Sequence, residues 1–362
     1  MTPSRQPPGG GRRLPTMKDV ARRAGVHPST VSLALRNNPD IPEETRRRIR
    51  EIAVQIGYHP DPVLDAFNAN RLSHQPLRSA PAIAYISDLT PRPSCTDSSA
   101  QHETYLGARE AAERLGFVLD RFFVGSGGLP PARLSQIMEA RAIDCAIVAS
   151  FSRGIAELSL NWPRLVALKI ESFHVQPDLD IITTDHLQAS RLAVARLRAL
   201  GYRRIGLVLA AGEDQRLRQL ARSGYLTELA QTPNQPAIPP LELTVGPAAV
   251  VGQLSPWLAA HEPDAVIGPT GELLAHLHRA QSASASHLGF AALDRAGASD
   301  AVAGVDSYHR LVGHLAVELL ASRRRINQRG LPSETSVTFL PVSWYDGATA
   351  PAVHEPVGAL AT

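Results

Sequence analysis

Apolar positions recur at helical spacing three times within residues 16–57, then give way from Ala82 onward to short continuous apolar runs separated by amphipathic stretches. The first period, Val20, Ala21 and Ala24, predicts a helix over about 17–24, opened by Thr16 with Asp19 three residues on, as in a capping box, and stopped by Gly25. The second opens with Pro28, a residue suited to the first helical position, and buries Val31, Ala34 and Leu35 before ending near Arg36. Only Gly25, Val26 and His27 join the two, and a three-residue, glycine-containing turn between short helices predicts a helix-turn-helix unit. A third helix starts near Pro42, sets Glu43 and Glu44 at its positive end, and turns Thr45, Ile49, Ile52, Ala53 and Ile56 inward before Gly57. Three helices sharing one apolar face make a minimal core.

Asp61 and Pro62 then form a strong helix start, but only about ten residues follow before the pattern fails. So short a helix is marginal alone and is expected to form only against a partner. Beyond it, apolar runs at 82–86, 117–124, 145–150, 165–170, 181–185, 205–210, 265–268 and 288–293 alternate with amphipathic stretches at 103–115, 132–141, 188–200, 215–229, 271–281 and 307–325. That rhythm predicts βαβ units and largely parallel sheets, with enough chain for two. Residues 336–345 read as a final antiparallel segment. The expected layout is a disordered extension at 1–15, a helix-turn-helix head at 16–59, a hinge helix and linker at 60–81, a body of two doubly wound α/β subdomains at 82–347, and a flexible tail at 348–362.

Composition adds an asymmetry. Of the 362 residues 44% are hydrophobic and the net charge is only +3, yet residues 1–78 hold thirteen basic side chains against seven acidic ones. The front is therefore +6 and the remainder −3, which favours a polyanion partner for the front alone. No run of about 18 apolar residues exists to cross a bilayer, no secretory leader precedes the head, and no membrane partner is expected. Two cysteines, Cys95 and Cys145, are too few for a disulfide framework or metal cluster, so a cytoplasmic setting and no cofactor are expected. Enzyme motifs are missing: there is no phosphate-binding Gly-Lys-Ser/Thr, Lys18 and Lys169 are the only lysines, and His276 and His278 point apart on a helix. Gly125-Ser126-Gly127-Gly128 follows a strand, but Pro130 stands where a dinucleotide fingerprint needs its third glycine.

Met17-Lys18-Asp19-Val20-Ala21, Ala24-Gly25-Val26, Thr30-Val31-Ser32, Glu44-Thr45-Arg46 and Gly57-Tyr58-His59-Pro60 together resemble the DNA-binding head of the lactose repressor/galactose repressor family. Leu200-Gly201-Tyr202-Arg203-Arg204-Ile205-Gly206 is similar to a junction in the same family's body. The resemblance covers most of residues 16–345. It implies a periplasmic-binding-protein-like body and a homodimeric, cytoplasmic, nucleoid-associated regulator, most simply a repressor. Its partners would be a pseudo-palindromic double-stranded operator and a small-molecule, carbohydrate-like effector.

The resemblance also assigns roles. The second helix enters the major groove with Pro28, Ser29, Thr30, Leu33 and Arg36 at its front, and His27 stands where relatives place a capping serine. Ser29 either reads a base or makes only a first-turn backbone contact; Leu33 either meets a thymine methyl or packs in the core. Phe67 occupies the hinge position of a minor-groove wedge, with packing on the partner's hinge helix as the alternative, and Arg71 lies beside it. In the body, Ser87, Asp88, Glu171 and Asp294 follow strand ends that face the cleft, Arg218 and Arg222 flank the position of the family's sugar-binding arginine, and His309 takes an aromatic stacking position. Ala221 replaces that arginine, and Gly268-Pro269-Thr270 replaces an Asn-Asp pair, so a hexose read in the standard way is not expected. Two other readings stay open: an effector-independent DNA-binding regulator with a degenerate cleft, and a small-molecule-binding protein with no DNA role.

Overall fold

The computed structural model describes residues 15–35, 38, 40–58, 80–88, 99–125, 128–149, 151, 155–231, 237–244, 247–280 and 288–353. They divide between two compact units, a head and a body, each taken by itself.

In the head, α1 spans Met17–Ala24, α2 Pro28–Leu35 and α3 Glu43–Ile56. The Asp19 carboxylate accepts from the Thr16 backbone N–H at 2.9 Å and from its hydroxyl at 2.6 Å, while Gly25 closes α1 in the left-handed conformation. Val20, Ala21, Ala24, Val31, Ala34, Ile49 and Ala53 form the buried core, with Val26, Leu35, Ile52, Ile56 and Tyr58 packed around it. Arg48 of α3 donates to the Ala24 carbonyl at 3.2 Å, placing a cation at the negative end of α1. The expected hinge helix, with Phe67 and Arg71, lies outside the described residues, as does Arg36.

The body holds two six-stranded sheets. The first comprises β1 (Ala82–Ser87), β2 (Val118–Phe123), β3 (Cys145–Val148), β4 (Val166–Ile170), β5 (Ile181–Thr184) and β11 (Val337–Leu340), in the order β11-β5-β4-β3-β1-β2. The second comprises β6 (Ile205–Ala210), β7 (Leu241–Leu243), β8 (Ala265–Thr270), β9 (Gly289–Asp294), β10 (Ala303–Asp306) and β12 (Ser343–Tyr345), in the order β12-β10-β9-β8-β6-β7. Each sheet is covered on both faces: α4 (Ser99–Arg114), α5 (Pro131–Ala140) and α11 (His309–Arg325) belong to the first lobe, while α6 (His186–Ala199), α7 (Glu213–Arg216), α8 (Leu220–Ala230), α9 (Pro247–His261) and α10 (Leu273–Ala280) belong to the second. The chain crosses between lobes three times, after β5, after β10 and after β11. This is the expected pair of doubly wound subdomains.

Four expectations change. Residues 336–345 are not one antiparallel segment: β11 runs parallel to β5 in the first sheet and β12 antiparallel to β10 in the second. The helix expected over 215–229 breaks at Leu217–Gln219, where Arg218 and Gln219 both take positive φ. Helix α9 goes unanticipated because Gly252 and Pro256 interrupt its pattern. Residues 348–353, expected to fray, are held: Phe290 N–H donates to the Thr349 carbonyl, Tyr202 Oη to that of Pro351, and Val353 N–H to that of Leu200. These backbone groups find partners in the second lobe, which holds the segment against it.

Candidate functional site: the head face and the interlobe cleft

On α2 the inward positions are Val31 and Ala34, which leaves the opposite side available to a partner. His27 and Ser29 are exposed, and Pro28, Thr30 and Leu33 half-buried. The His27 ring takes over the cap expected of serine: its Nδ1 accepts from the Ser29 backbone N–H at 3.3 Å and lies 2.7 Å from Ser29 Oγ. One orphan donor of the helix start is thus satisfied by a side chain that still faces outward. Among the described residues Leu33 is not one of the side chains packed on the head core. Arg22 pairs with Asp19, Arg46 with Glu43 and Arg47 with Glu51 along the surface. Pairs at the surface of this kind are worth little.

In the body, residues just past the carboxyl ends of β4, β5, β6, β9 and β10 meet between the lobes, where open α/β sheets take ligands. Glu171, directly after β4 and at positive φ, lies with Oε1 3.3 Å from Nε2 of His186, the first residue of α6. Burial opposes its ionisation, but His186, His309 and Arg216 more than offset that, and its pKa falls to about 2. His309, at the start of α11, places Nε2 2.8 Å from Asp294 Oδ2 at the end of β9. Burial works against a charged imidazole there, yet Asp294, with Glu171 and Asp306 beyond, raises its pKa above the ordinary histidine value. Both histidine–carboxylate pairs therefore bridge the two lobes. Arg216 donates to the Glu171 carbonyl at 3.3 Å, and Thr184 Oγ1 to that of Ser307 at 3.3 Å.

The predicted cleft residues divide. Glu171, Asp294 and His309 are brought together, while Ser87 is buried at the end of β1 with Asp88 following. Arg222 is committed to Asp214 and Glu242 within the second lobe, and Arg218 is exposed, 4.9 Å over the ring of Phe173. His186, Arg216, Phe173 and Lys169 escaped sequence reasoning. Lys169, inside an apolar strand in a chain with only one other lysine, offered a compositional signal. It is buried and donates to the carbonyls of Val175 at 2.7 Å and Pro177 at 3.2 Å. Among the described residues no group of three or more His, Cys, Asp or Glu is placed to hold a metal ion, and no helix is long and apolar enough to cross a membrane.

Residues 16–61 match the model for bacterial regulatory proteins of the lacI family. The transcriptional regulator MalR of Streptococcus pneumoniae is 46% identical over 46 residues, 13% of this chain and 14% of that one, and the regulator GntR of Pseudomonas aeruginosa is 40% identical over 70 residues, 19% and 20% respectively. The chain thus matches only a small part of these relatives' length. Longer but weaker is the likeness to the regulator PtxS of Pseudomonas plecoglossicida, 23% identical over 291 residues, 77% of this chain and 79% of that one. Among solved structures, a lac repressor dimer bound to operator and an anti-inducer superposes with a TM-score of 0.57 at 19% identity, covering 94% of this chain and all of that one. A transcriptional regulator CelR–cellobiose complex does so with 0.57 at 18%, covering 92% and 99%.

Proposed function

We propose that this chain, whose residues 16–61 match the lacI family model, is a member of that family throughout and acts as a cytoplasmic, homodimeric, sequence-specific DNA-binding transcriptional regulator, most simply a repressor, controlled by a small-molecule effector. One observation carries the DNA role: α2 turns Val31 and Ala34 into the head core and leaves Ser29, Thr30 and Leu33 for a groove, on the most basic part of the chain. No guanine-reading arginine stands among these three, so base-edge contacts supply modest discrimination, and Phe67 and Arg71 contribute at the hinge. The relatives are regulators and not enzymes, which accords with the missing catalytic motifs.

The effector reading rests on Glu171, Asp294 and His309 meeting where the lobes face each other. A ligand that prefers one lobe arrangement shifts the DNA-competent population by its differential affinity and no more. The mutual pairing of Asp294 with His309 supports a second reading, in which the cleft is satisfied by its own side chains and no effector binds. Selecting bound fragments from the source genome, then measuring operator anisotropy across salt with and without a metabolite panel, tests both. The expectation is tight binding to a few pseudo-palindromic fragments that weakens steeply with salt. Equal affinity for random duplex refutes the DNA role, and silence across the panel favours the second reading.

A further inference from the structure

We infer that the effector carries an anionic group, a carboxylate or a phosphate, received by Arg218 at the rim of the cleft. This rests on the effector reading above and narrows its chemistry.

Charge pairing within the cleft leads there. Glu171 is matched by His186, with Arg216 close by, and Asp294 is matched by His309. Arg222 is held between Asp214 and Glu242. Arg218 differs: among the described residues its guanidinium meets no carboxylate, and its contact is the face of Phe173, 4.9 Å away. A guanidinium set over an aromatic face keeps N–H donors with which to grip a planar anion through two parallel hydrogen bonds.

The backbone is shaped for this. Arg218 and Gln219 both take positive φ without being glycine, an uncommon and costly conformation that persists where surroundings impose it and recurs at ligand clamps. The surroundings here are visible, because Leu217 packs with Phe173 and Ile181 in one small buried cluster. Arg218 comes from the second lobe and Phe173 from the first, so an anion gripped there touches the boundary whose geometry sets the DNA response. Positive potential extends inward. Burial lowers the pKa of Lys169 to about 8; Asp178 acts against that and the charge of Arg218 adds to it. A small hydroxylated anion suits both sides of the cleft, with Arg218 taking its charge and the Glu171 and Asp294 carboxylates accepting from its hydroxyls.

The test uses the full chain and matched probes: D-glucose, D-gluconate, D-glucuronate, D-glucose 6-phosphate and inorganic phosphate, each titrated calorimetrically against wild type, Arg218→Gln and Arg218→Lys, with operator anisotropy in parallel. The expected result is at least about tenfold tighter binding of an anionic probe than of glucose, lost in Arg218→Gln and partly kept in Arg218→Lys, which retains charge without the fork. The carboxylate and phosphate arms tell which anion the site takes. Preference for glucose, equal binding by Arg218→Gln, or no binding by any probe overturns the assignment. Specific operator binding that persists in any of those cases leaves the regulator reading standing, and its absence in wild type refutes that reading separately.

Discussion

Replacing Gly313 by alanine should destabilise the body although alanine is the better helix former. Gly313 lies where α11 crosses α4, and a methyl group built there meets the Ala108 backbone nitrogen at 2.7 Å and the Thr104 carbonyl oxygen closer still. Both are main-chain atoms and cannot swing aside as a side chain would. Restoring ordinary contact at 3.4 Å or more requires the helices to part by about 1.5 Å at the Thr104 carbonyl, in an interior packed like a crystal. Overpacking of this kind costs about 1–3 kcal/mol, against a gain of about 1 kcal/mol in helix propensity. His309 sits one turn earlier on the same helix, so the displacement also stretches its 2.8 Å bond to Asp294, worth about 1.5–3 kcal/mol as a charge-assisted hydrogen bond. The net loss is about 2–4 kcal/mol, a fall in Tm of roughly 5–15 °C for a body this size. The control is Gly252→Ala in α9, where the added methyl meets nothing within 4 Å; it should stabilise by about 0.5–1 kcal/mol. Circular dichroism melts of the two variants, run together, decide the matter. A Tm for Gly313→Ala equal to or above that of wild type would refute the packing argument.

Three more outcomes follow from the same geometry. His309 has a raised pKa, so its stabilising pair is fully present below the ordinary histidine value and is lost as pH rises through the raised one; Asp294→Asn should therefore cost more stability at pH 6 than at pH 9 in urea unfolding, and an equal cost at both would show the pair to be inert. Glu171, with a folded pKa of about 2 against an ordinary 4.5, stabilises above the ordinary value and loses that contribution as pH falls toward 2, so the deficit of Glu171→Gln should be clear at pH 7 and shrink on acidification. Phe67→Ala should weaken operator binding more than tenfold and leave effector affinity of the full chain unchanged; undiminished operator affinity would remove the wedge assignment.

Local rules carried the head almost completely. The Thr16–Asp19 cap, the Gly25 and Gly57 stops and the inward stripe of Val20, Val31 and Ile49 are all short-range patterns, and three short helices have few ways to bury one stripe. The βαβ rhythm likewise set the two-sheet body, because parallel strands need a crossover connection, most often a helix, although β4 and β5, and β9 and β10, are joined by loops alone. Helix α9 and the break at Leu217–Gln219 escaped because tertiary contacts there override propensity: Trp257 of α9 is buried over Gly206, and Leu217 is drawn onto Phe173.

The cleft was legible only in part. Strand ends pointed to Glu171, Asp294 and His309, but periodicity reports which face of an element is buried, not which residues 15 to 123 positions apart come within 3.3 Å of each other. The pairing of Glu171 with His186 and the seat of Arg218 over Phe173 depend on where three crossovers bring the two sheets together, while the capture of Arg222 by Asp214 and Glu242 depends on packing within the second lobe. Secondary structure and a basic front end are written in nearest-neighbour chemistry; partners across a lobe boundary are set by the packed fold, since only there do distance and desolvation decide which charges are matched.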